Sequence, residues 1–106
     1  MIRVRLAGAT LAESEHTVMV EGNHYFPPDS LNMAHFERTR SHSLCPWKGI
    51  ASYYSVTVAD RRYHNAAWTY RHPSPLARRI KNHVAFWPLV AIEVDDPEAA
   101  DEVVRR

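Results

Sequence analysis

The stretch Ile50–Tyr70, which reads IASYYSVTVADRRYHNAAWTY, decides the fold class. β-branched and aromatic residues fill Ile50–Val58 and return over Arg62–Tyr70, a composition that favours β-strands. Asp60 and Arg61 lie between the two runs, where a turn is expected, so the stretch is predicted to form an antiparallel hairpin. Because side chains alternate on a strand, Tyr54, Val56 and Val58 are expected to share one face of the first strand. Ala66, Trp68 and Tyr70 are expected to share one face of the second strand.

Outward from the hairpin, the chain shows further strand patterns. Residues 2–6 alternate apolar side chains with arginines, and Thr10–Ala12 is placed to pair back on them. The apolar run Val84–Val94 contains Pro88 and is predicted to be a strand pair or one strand bent at the proline. Residues 37–44 are polar and are predicted to be an exposed loop.

Two helices are expected late in the chain. Ser74 and Pro75 are typical of a helix start, which predicts a short helix near residues 76–81. Asp96-Pro97, followed by acidic and then basic residues, predicts a C-terminal helix. The fold class is therefore mostly β: a small single domain, residues 1–106, of two antiparallel sheets with these two helices.

Length, charge and cysteine content narrow the possible partners. The chain has 106 residues, enough for one core, and its 13 Lys and Arg nearly cancel 12 Asp and Glu. This balance argues against nucleic acid as a partner, and the absence of a long apolar run argues against a membrane. One cysteine fits a reducing compartment, so a cytoplasmic location is expected.

Several segments together resemble the bacterial domain-of-unknown-function 427 family. They are Tyr25-Phe26-Pro27, Cys45-Pro46-Trp47-Lys48-Gly49, Ala51-Ser52-Tyr53-Tyr54, Asn65-Ala66-Ala67-Trp68-Thr69-Tyr70 and Val84-Ala85-Phe86. The resemblance implies a small β-tent-like fold, shared with methionine-R-sulfoxide reductases and with the thalidomide-binding domain of cereblon. Those relatives hold zinc with two Cys-x-x-Cys pairs, which a chain with one cysteine cannot build.

The family is sometimes labelled nucleotidyltransferase-like, and the residues give that label little support. Such chemistry needs paired carboxylates for a divalent metal, and usually a glycine-rich phosphate loop. The three glycines are not clustered, and the adjacent Asp95 and Asp96 would point to opposite faces of a strand.

Cys45 is the candidate catalytic residue, with Lys48 as its partner. A thiolate nucleophile needs a nearby cation, and Lys48 lies three residues after the cysteine while His42 lies three before it. The alternative is that Cys45 is a small buried apolar residue. His42-x-x-Cys45 also has metal-ligand spacing, but no second pair completes a site, so no metal and no cofactor are predicted.

Aromatic residues crowd the family-like segments, and some of them are expected to line a ligand pocket. Neighbours such as Tyr53 and Tyr54, or Phe86 and Trp87, point to opposite faces, so they cannot all fill one core. Aromatic clefts with a few polar groups are typical of small-molecule sites, although the rings can equally pack a core. The predicted ligand-binding residues are Tyr25, Phe26, Pro27, Trp47, Tyr53, Tyr54, Asn65, Trp68, Tyr70 and Phe86.

Three functions therefore stay open. The favoured one is a small-molecule-binding module, in which Lys48 and Asn65 orient a ligand of unknown identity. The second is an enzyme with Cys45 as nucleophile or redox centre, which would need an external thiol for a redox cycle. The third is a protein-interaction module that uses an exposed aromatic patch, with the chain a monomer or a homodimer.

Overall fold

A computed structural model describes residues 1–87 and the backbone of residues 91–94. Its strands are β1 Ile2–Leu6, β2 Ala9–Ser14, β3 Val18–Val20, β4 Asn23–Tyr25, β5 Phe36–Cys45, β6 Gly49–Val58, β7 Arg61–Tyr70, β8 Val84–Phe86 and β9 Ala91–Val94. Its helical segments are short 3-10 turns at Pro28–Ser30, Met33–His35 and Pro75–Ile80. None of the helices in this described part is long and apolar enough to cross a bilayer.

The described strands form antiparallel sheets, which confirms the mostly-β prediction. The largest sheet has the order β5-β6-β7-β8, and a second has the order β2-β1-β9. The hairpin β3-β4 forms a small third sheet beside the two larger ones. A backbone bridge between Phe26 and Val84 ties the chain after β4 to β8.

The predicted β6–β7 hairpin forms, but its turn is at Ala59 and Asp60, one residue before the predicted Asp60 and Arg61, and its alternation is interrupted. Val56 pairs with Tyr63 and Tyr54 pairs with Ala67, so β7 carries two extra residues opposite Ser55. Asn65 in this bulge has a φ of 50°, in the left-handed region. Ala66 therefore packs with the Val56 core and does not share a face with Trp68 and Tyr70, as the alternation had predicted.

Residues 37–44, predicted to be a loop, are instead the body of the edge strand β5. The prediction was wrong because an edge strand needs no apolar pattern, and most of β5 is exposed. This strand also has a bulge, between Arg38 and His42. The side chain of Asn65 links the two bulges across β6: its Nδ2 donates to Ser41 Oγ at 2.9 Å, and Thr39 Oγ1 donates to its Oδ1 at 2.8 Å.

Two apolar cores lie on opposite faces of the four-stranded sheet. The first core contains Phe26, Val56 and Phe86, and the β1–β2 hairpin covers it with Val4 and Leu11. The second core is covered by the β3–β4 hairpin and the Pro75–Ile80 segment. It contains Val20, Tyr25, Ala51, Tyr70, Ala77, Ile80 and Ala85. Tyr53 packs with the second core and Tyr54 with the first, which confirms that the neighbouring rings are divided.

The chain after β7 contains the predicted short helix, and it divides the predicted strand run Val84–Val94 between two sheets. The predicted short helix is the 3-10 segment Pro75–Ile80, and Ser74 precedes it. Its hydroxyl donates to the carbonyl of Trp47 and does not cap the helix. The run Val84–Val94 forms two strands in different sheets, β8 beside β7 and β9 beside β1. The predicted C-terminal helix lies outside the described residues.

Candidate functional site

One face of the four-stranded sheet, here called the aromatic face, carries most of the predicted site residues. Tyr70 and Trp68 of β7 meet Tyr25 of β4 there, with ring centroids 6.4 Å from Tyr25 in both cases. Trp68 Nε1 donates to the Tyr25 hydroxyl at 3.1 Å. Tyr25 and Tyr70 are buried, so these rings form a packed cluster with an internal hydrogen bond.

Lys48 is buried at the edge of this cluster, with 7% of its surface exposed. Its ammonium donates a hydrogen bond to Glu21 and lies 5.4 Å from the ring centroids of both Trp47 and Tyr70. A buried ammonium needs such a partner, because leaving it unpaired would be costly. Lys48 therefore joins the β3–β4 turn to the β5–β6 turn.

The pKa values of this group reflect the same contacts. Burial alone would lower the pKa of Lys48, but its hydrogen bond to Glu21 and the nearby Tyr25, Tyr70 and Cys45 raise it above its usual range. The pKa of the exposed Glu21 is lowered, mainly by its hydrogen bond with Lys48. The pKa of Tyr70 is raised by burial, and Lys48 opposes that shift. Lys48 is therefore protonated at neutral pH, and the Glu21 carboxylate balances its charge.

Cys45 lies half-buried against the aromatic face and close enough to Lys48 to interact with it electrostatically. The strand register separates it from His42, because Cys45 pairs with Gly49 whereas His42 pairs with Ser52. These two side chains point to opposite faces of β5. Of the two groups that the sequence placed near the sulfur, the structure brings only Lys48 to the same face. Within residues 1–87, no three His, Cys, Asp or Glu side chains form a metal-binding group.

The remaining predicted ligand residues are divided among different places. Phe26 and Phe86 pack edge to face in the first core, 5.8 Å apart. The amide of Asn65 is engaged by Thr39 and Ser41. Pro27 is half-buried and its carbonyl accepts bonds from Ser30, while Trp47 is exposed beside Lys48. The ten residues are therefore not gathered around one pocket.

The larger cavities lie on the other face of the sheet, beyond the end of the first core. Two cavities of about 640 Å³ and 690 Å³ share Arg71 and His72, and we call them together the basic groove. The first is lined by Pro28, Leu31, Met33, Tyr54, Thr69, Arg71, His72, Lys81, Asn82 and Val84. The second is lined by Arg38, His42, Gly49, Ile50, Ser52, Arg71, His72 and Ser74. Tyr54 is the predicted ligand residue that lines this groove.

The strand register explains why the floor of the groove carries these side chains. Cross-strand partners point to the same face, and Arg38 pairs with Tyr54, which in turn pairs with Ala67. At the next position of β6 on the same face, two residues closer to the β5–β6 turn, Ser52 pairs with His42 on one side and with Thr69 on the other. Arginine, histidine, hydroxyl and aromatic groups from distant parts of the sequence are thus brought to one surface.

Gly49 positions the wall of the groove. Its φ is 114°, and a Cβ atom there would lie 3.3 Å from the carbonyl oxygen of His72. The chain at His72–Ser74 can therefore pass close over the start of β6, where Ser74 N donates to the carbonyl of Lys48 at 2.9 Å. This contact holds His72 beside the groove.

Among the described residues, the charged side chains that line the groove are all basic. Neither cavity is lined by an acidic side chain among the described residues. Arg71 is half-buried at the junction of the two cavities, and in residues 1–87 neither it nor Arg38 has an ion-pair partner. Residues 1–87 contain 11 Lys and Arg against six Asp and Glu, whereas residues 88–106 contain two against six. The near-neutral charge of the whole chain therefore includes a net charge of +5 in residues 1–87.

A family model described as a domain of unknown function (DUF427) matches residues 1–96, and the chain belongs to this family. The match confirms the resemblance found in the sequence. A comparison with the curated proteins gave no match. The family's description assigns no activity, so the function has to be argued from the site.

Proposed function

We propose that the protein is a small-molecule-binding module whose basic groove takes an organic anion. The observation that carries the proposal is Arg71, a half-buried arginine at the junction of two cavities. A guanidinium presents a planar fork of donors that suits carboxylate and phosphate oxygens, and hydrogen bonds to such charged groups are among the stronger ones. Arg38 lines the same groove and supports the same ligand charge.

The rest of the groove suits a molecule larger than a simple ion. The two cavities fall in the volume range typical of small-molecule sites, about 300 to 1,000 Å³. Ser52 contributes a hydroxyl to the groove and Tyr54 contributes an aromatic ring, whereas the buried Thr69 hydroxyl already donates to the carbonyl of His83. This combination of a cationic centre with polar and apolar walls favours an organic anion over inorganic ions.

The aromatic face offers less to such a ligand. Lys48, the cation that the sequence assigned to ligand binding, is already bonded to Glu21. The hydroxyl of Tyr25 already accepts a hydrogen bond from Trp68. A ligand there would have to displace these contacts, whereas no described ion pair has to break for one to enter the basic groove.

The test is a thermal-shift and calorimetry panel of organic phosphates and carboxylates, followed by variants. Arg71→Gln is expected to weaken the binding of any positive compound by at least about tenfold, because a charged hydrogen-bonding partner is lost. Arg79→Gln is the matched control, since Arg79 is an exposed arginine on the 3-10 segment outside the groove. A panel without any binder, or equal losses in the two variants, would overturn the proposal.

A second candidate function is an enzyme that uses Cys45, and the specific observation for it is that Cys45 is half-buried against the same aromatic face whose edge holds the buried Lys48 ammonium. A fixed cation stabilises a thiolate and speeds its reactions. The check is iodoacetamide alkylation of Cys45 at neutral pH, read by intact mass. A faster reaction in the folded chain than in urea would support the enzyme, and protection in the folded chain would reject it.

A further inference from the structure

Two large apolar side chains are exposed at one end of the basic groove: Ile50 lines its second cavity, and Leu44 lies beside Ile50 on the neighbouring strand. Leu44 is 73% exposed and Ile50 is 57% exposed. They pair directly across β5 and β6, so their side chains lie next to each other on the face that also carries His42 and Ser52. Ile50 lines the same cavity as Arg38 and Arg71. The groove therefore has an apolar end at the β5–β6 turn and a cationic centre beside it.

This apolar end is not needed by either core. Neither Leu44 nor Ile50 belongs to the two core clusters of the described residues. A single exposed leucine on a protein surface is unremarkable, but a directly paired Leu and Ile at the mouth of a charged cavity make a local apolar surface. A ligand that covers this surface gains affinity from it in proportion to the apolar area removed from water.

We propose that the ligand of the basic groove is an amphiphile, with an anionic head at Arg71 and Arg38 and an aliphatic portion on Leu44 and Ile50. This inference rests on the proposed function and names its ligand class. The head accepts hydrogen bonds from the guanidinium groups, and the aliphatic portion covers the exposed pair. A purely ionic ligand would use the arginines and leave the apolar pair in water.

A second copy of this chain suits the surface less well. A two-fold dimer through this face would bring Arg38 and Arg71 of one protomer close to the same arginines of its partner. Like charges so placed repel each other. The charge of the groove instead complements an anion.

The experiment compares octyl phosphate, below its critical micelle concentration, with inorganic phosphate and octylamine on the full chain by amide NMR titration. Octyl phosphate is expected to bind at least about tenfold more tightly than inorganic phosphate, because each methylene removed from water raises affinity severalfold. Octylamine is expected not to bind, since its cationic head meets Arg71. Ile50→Thr, which keeps a β-branched side chain on the strand, is expected to reduce the octyl phosphate advantage and leave inorganic phosphate unchanged.

Leu76→Thr is the matched control, because Leu76 is also an exposed apolar residue but lines neither cavity. Equal affinity for octyl phosphate and inorganic phosphate would overturn the amphiphile while leaving the anion site standing. Binding of neither probe would overturn the proposed function itself. If Ile50→Thr and Leu76→Thr lose octyl phosphate affinity equally, the aliphatic portion does not lie on Ile50 and the inference is wrong.

The same anionic head with an aliphatic chain is found in free amphiphiles and in bilayer lipids, and vesicles distinguish the two sources. Co-sedimentation with phosphatidylcholine vesicles containing phosphatidylglycerol, lost in Arg71→Gln, would identify a lipid headgroup as the source. Octyl phosphate binding without vesicle binding would identify a free amphiphile.

Discussion

The two faces of the four-stranded sheet differ in whether their cations are paired with a carboxylate. On the aromatic face, Lys48 is buried among rings and its charge is neutralised by Glu21. On the groove face, Arg38 and Arg71 border open cavities and have no carboxylate partner in the described residues. Lys48, the cation in the aromatic motif, therefore stabilises the fold. The cations available to a ligand, Arg38 and Arg71, lie in segments without a recognisable motif.

The reason for this difference is the cost of burial. A buried charge has to be paired, so Lys48 is tied to one partner and one conformation. A charge at a solvated cavity keeps part of its hydration and costs the fold little, so it stays available for an anion. Changes on the aromatic face should therefore affect stability, and changes on the groove face should affect binding.

The largest effect is expected from Lys48→Ala. The substitution removes the ion pair with Glu21 and the cation–π contact of the buried ammonium with the Tyr70 ring. We expect the free energy of unfolding to fall by about 2 kcal/mol, measured by urea denaturation. Arg71→Ala on the other face is expected to change it by less than about 0.5 kcal/mol. Similar losses in the two variants would contradict the comparison.

A somewhat smaller effect is expected at Asn65, which lies between the two bulged strands. Asn65→Ala removes the bonds to Thr39 and Ser41 and places alanine at a φ of 50°, which it tolerates poorly. We expect a loss of about 1 to 2 kcal/mol in the free energy of unfolding, with Asn65→Gly recovering the backbone part. Anion affinity should stay unchanged in both variants. A variant that folds with full stability but loses ligand would instead assign Asn65 to the binding site.

The pH dependence of stability sharpens the comparison further. The lowered pKa of Glu21 means that its ion pair contributes stability above the ordinary carboxyl pKa of 4.5 and loses it as the pH falls through the lowered value. The raised pKa of Lys48 means that its part is present at neutral pH and is lost only in strong alkali. The difference in stability between wild type and Glu21→Gln, measured by urea denaturation, should therefore shrink between about pH 7 and about pH 3. A difference that is constant over this range would contradict the ion pair.

Most of the fold could be predicted from local sequence patterns. The β6–β7 hairpin follows from its β-branched and aromatic residues, and the division of Tyr53 from Tyr54 follows from alternation. The bulges could not be predicted, because they depend on the left-handed backbone of Asn65 and on its bonds across β6. Strand β5 was missed because residues 37–43 carry polar side chains on both faces of the strand.

The site was harder to predict, because its residues meet only through the register of the sheet. Arg38 and His42 lie on a segment predicted to be a loop, and Arg71 follows the end of β7. No short motif connects these positions in the sequence. The near-neutral charge of the whole chain also gave no sign of a basic site. Half of the acidic residues lie after Trp87, and the others do not line the groove.

The most direct test of the account is an NMR map of where octyl phosphate binds, using backbone amides and tryptophan indole signals together. We expect shifts at His42, Ser52, Arg71 and His72, with no shift of the Trp68 indole, which is hydrogen-bonded to Tyr25 on the opposite face. Shifts centred on Trp68 and Tyr53, with the amides around Arg71 unmoved, would place the ligand on the aromatic face and contradict the central claim.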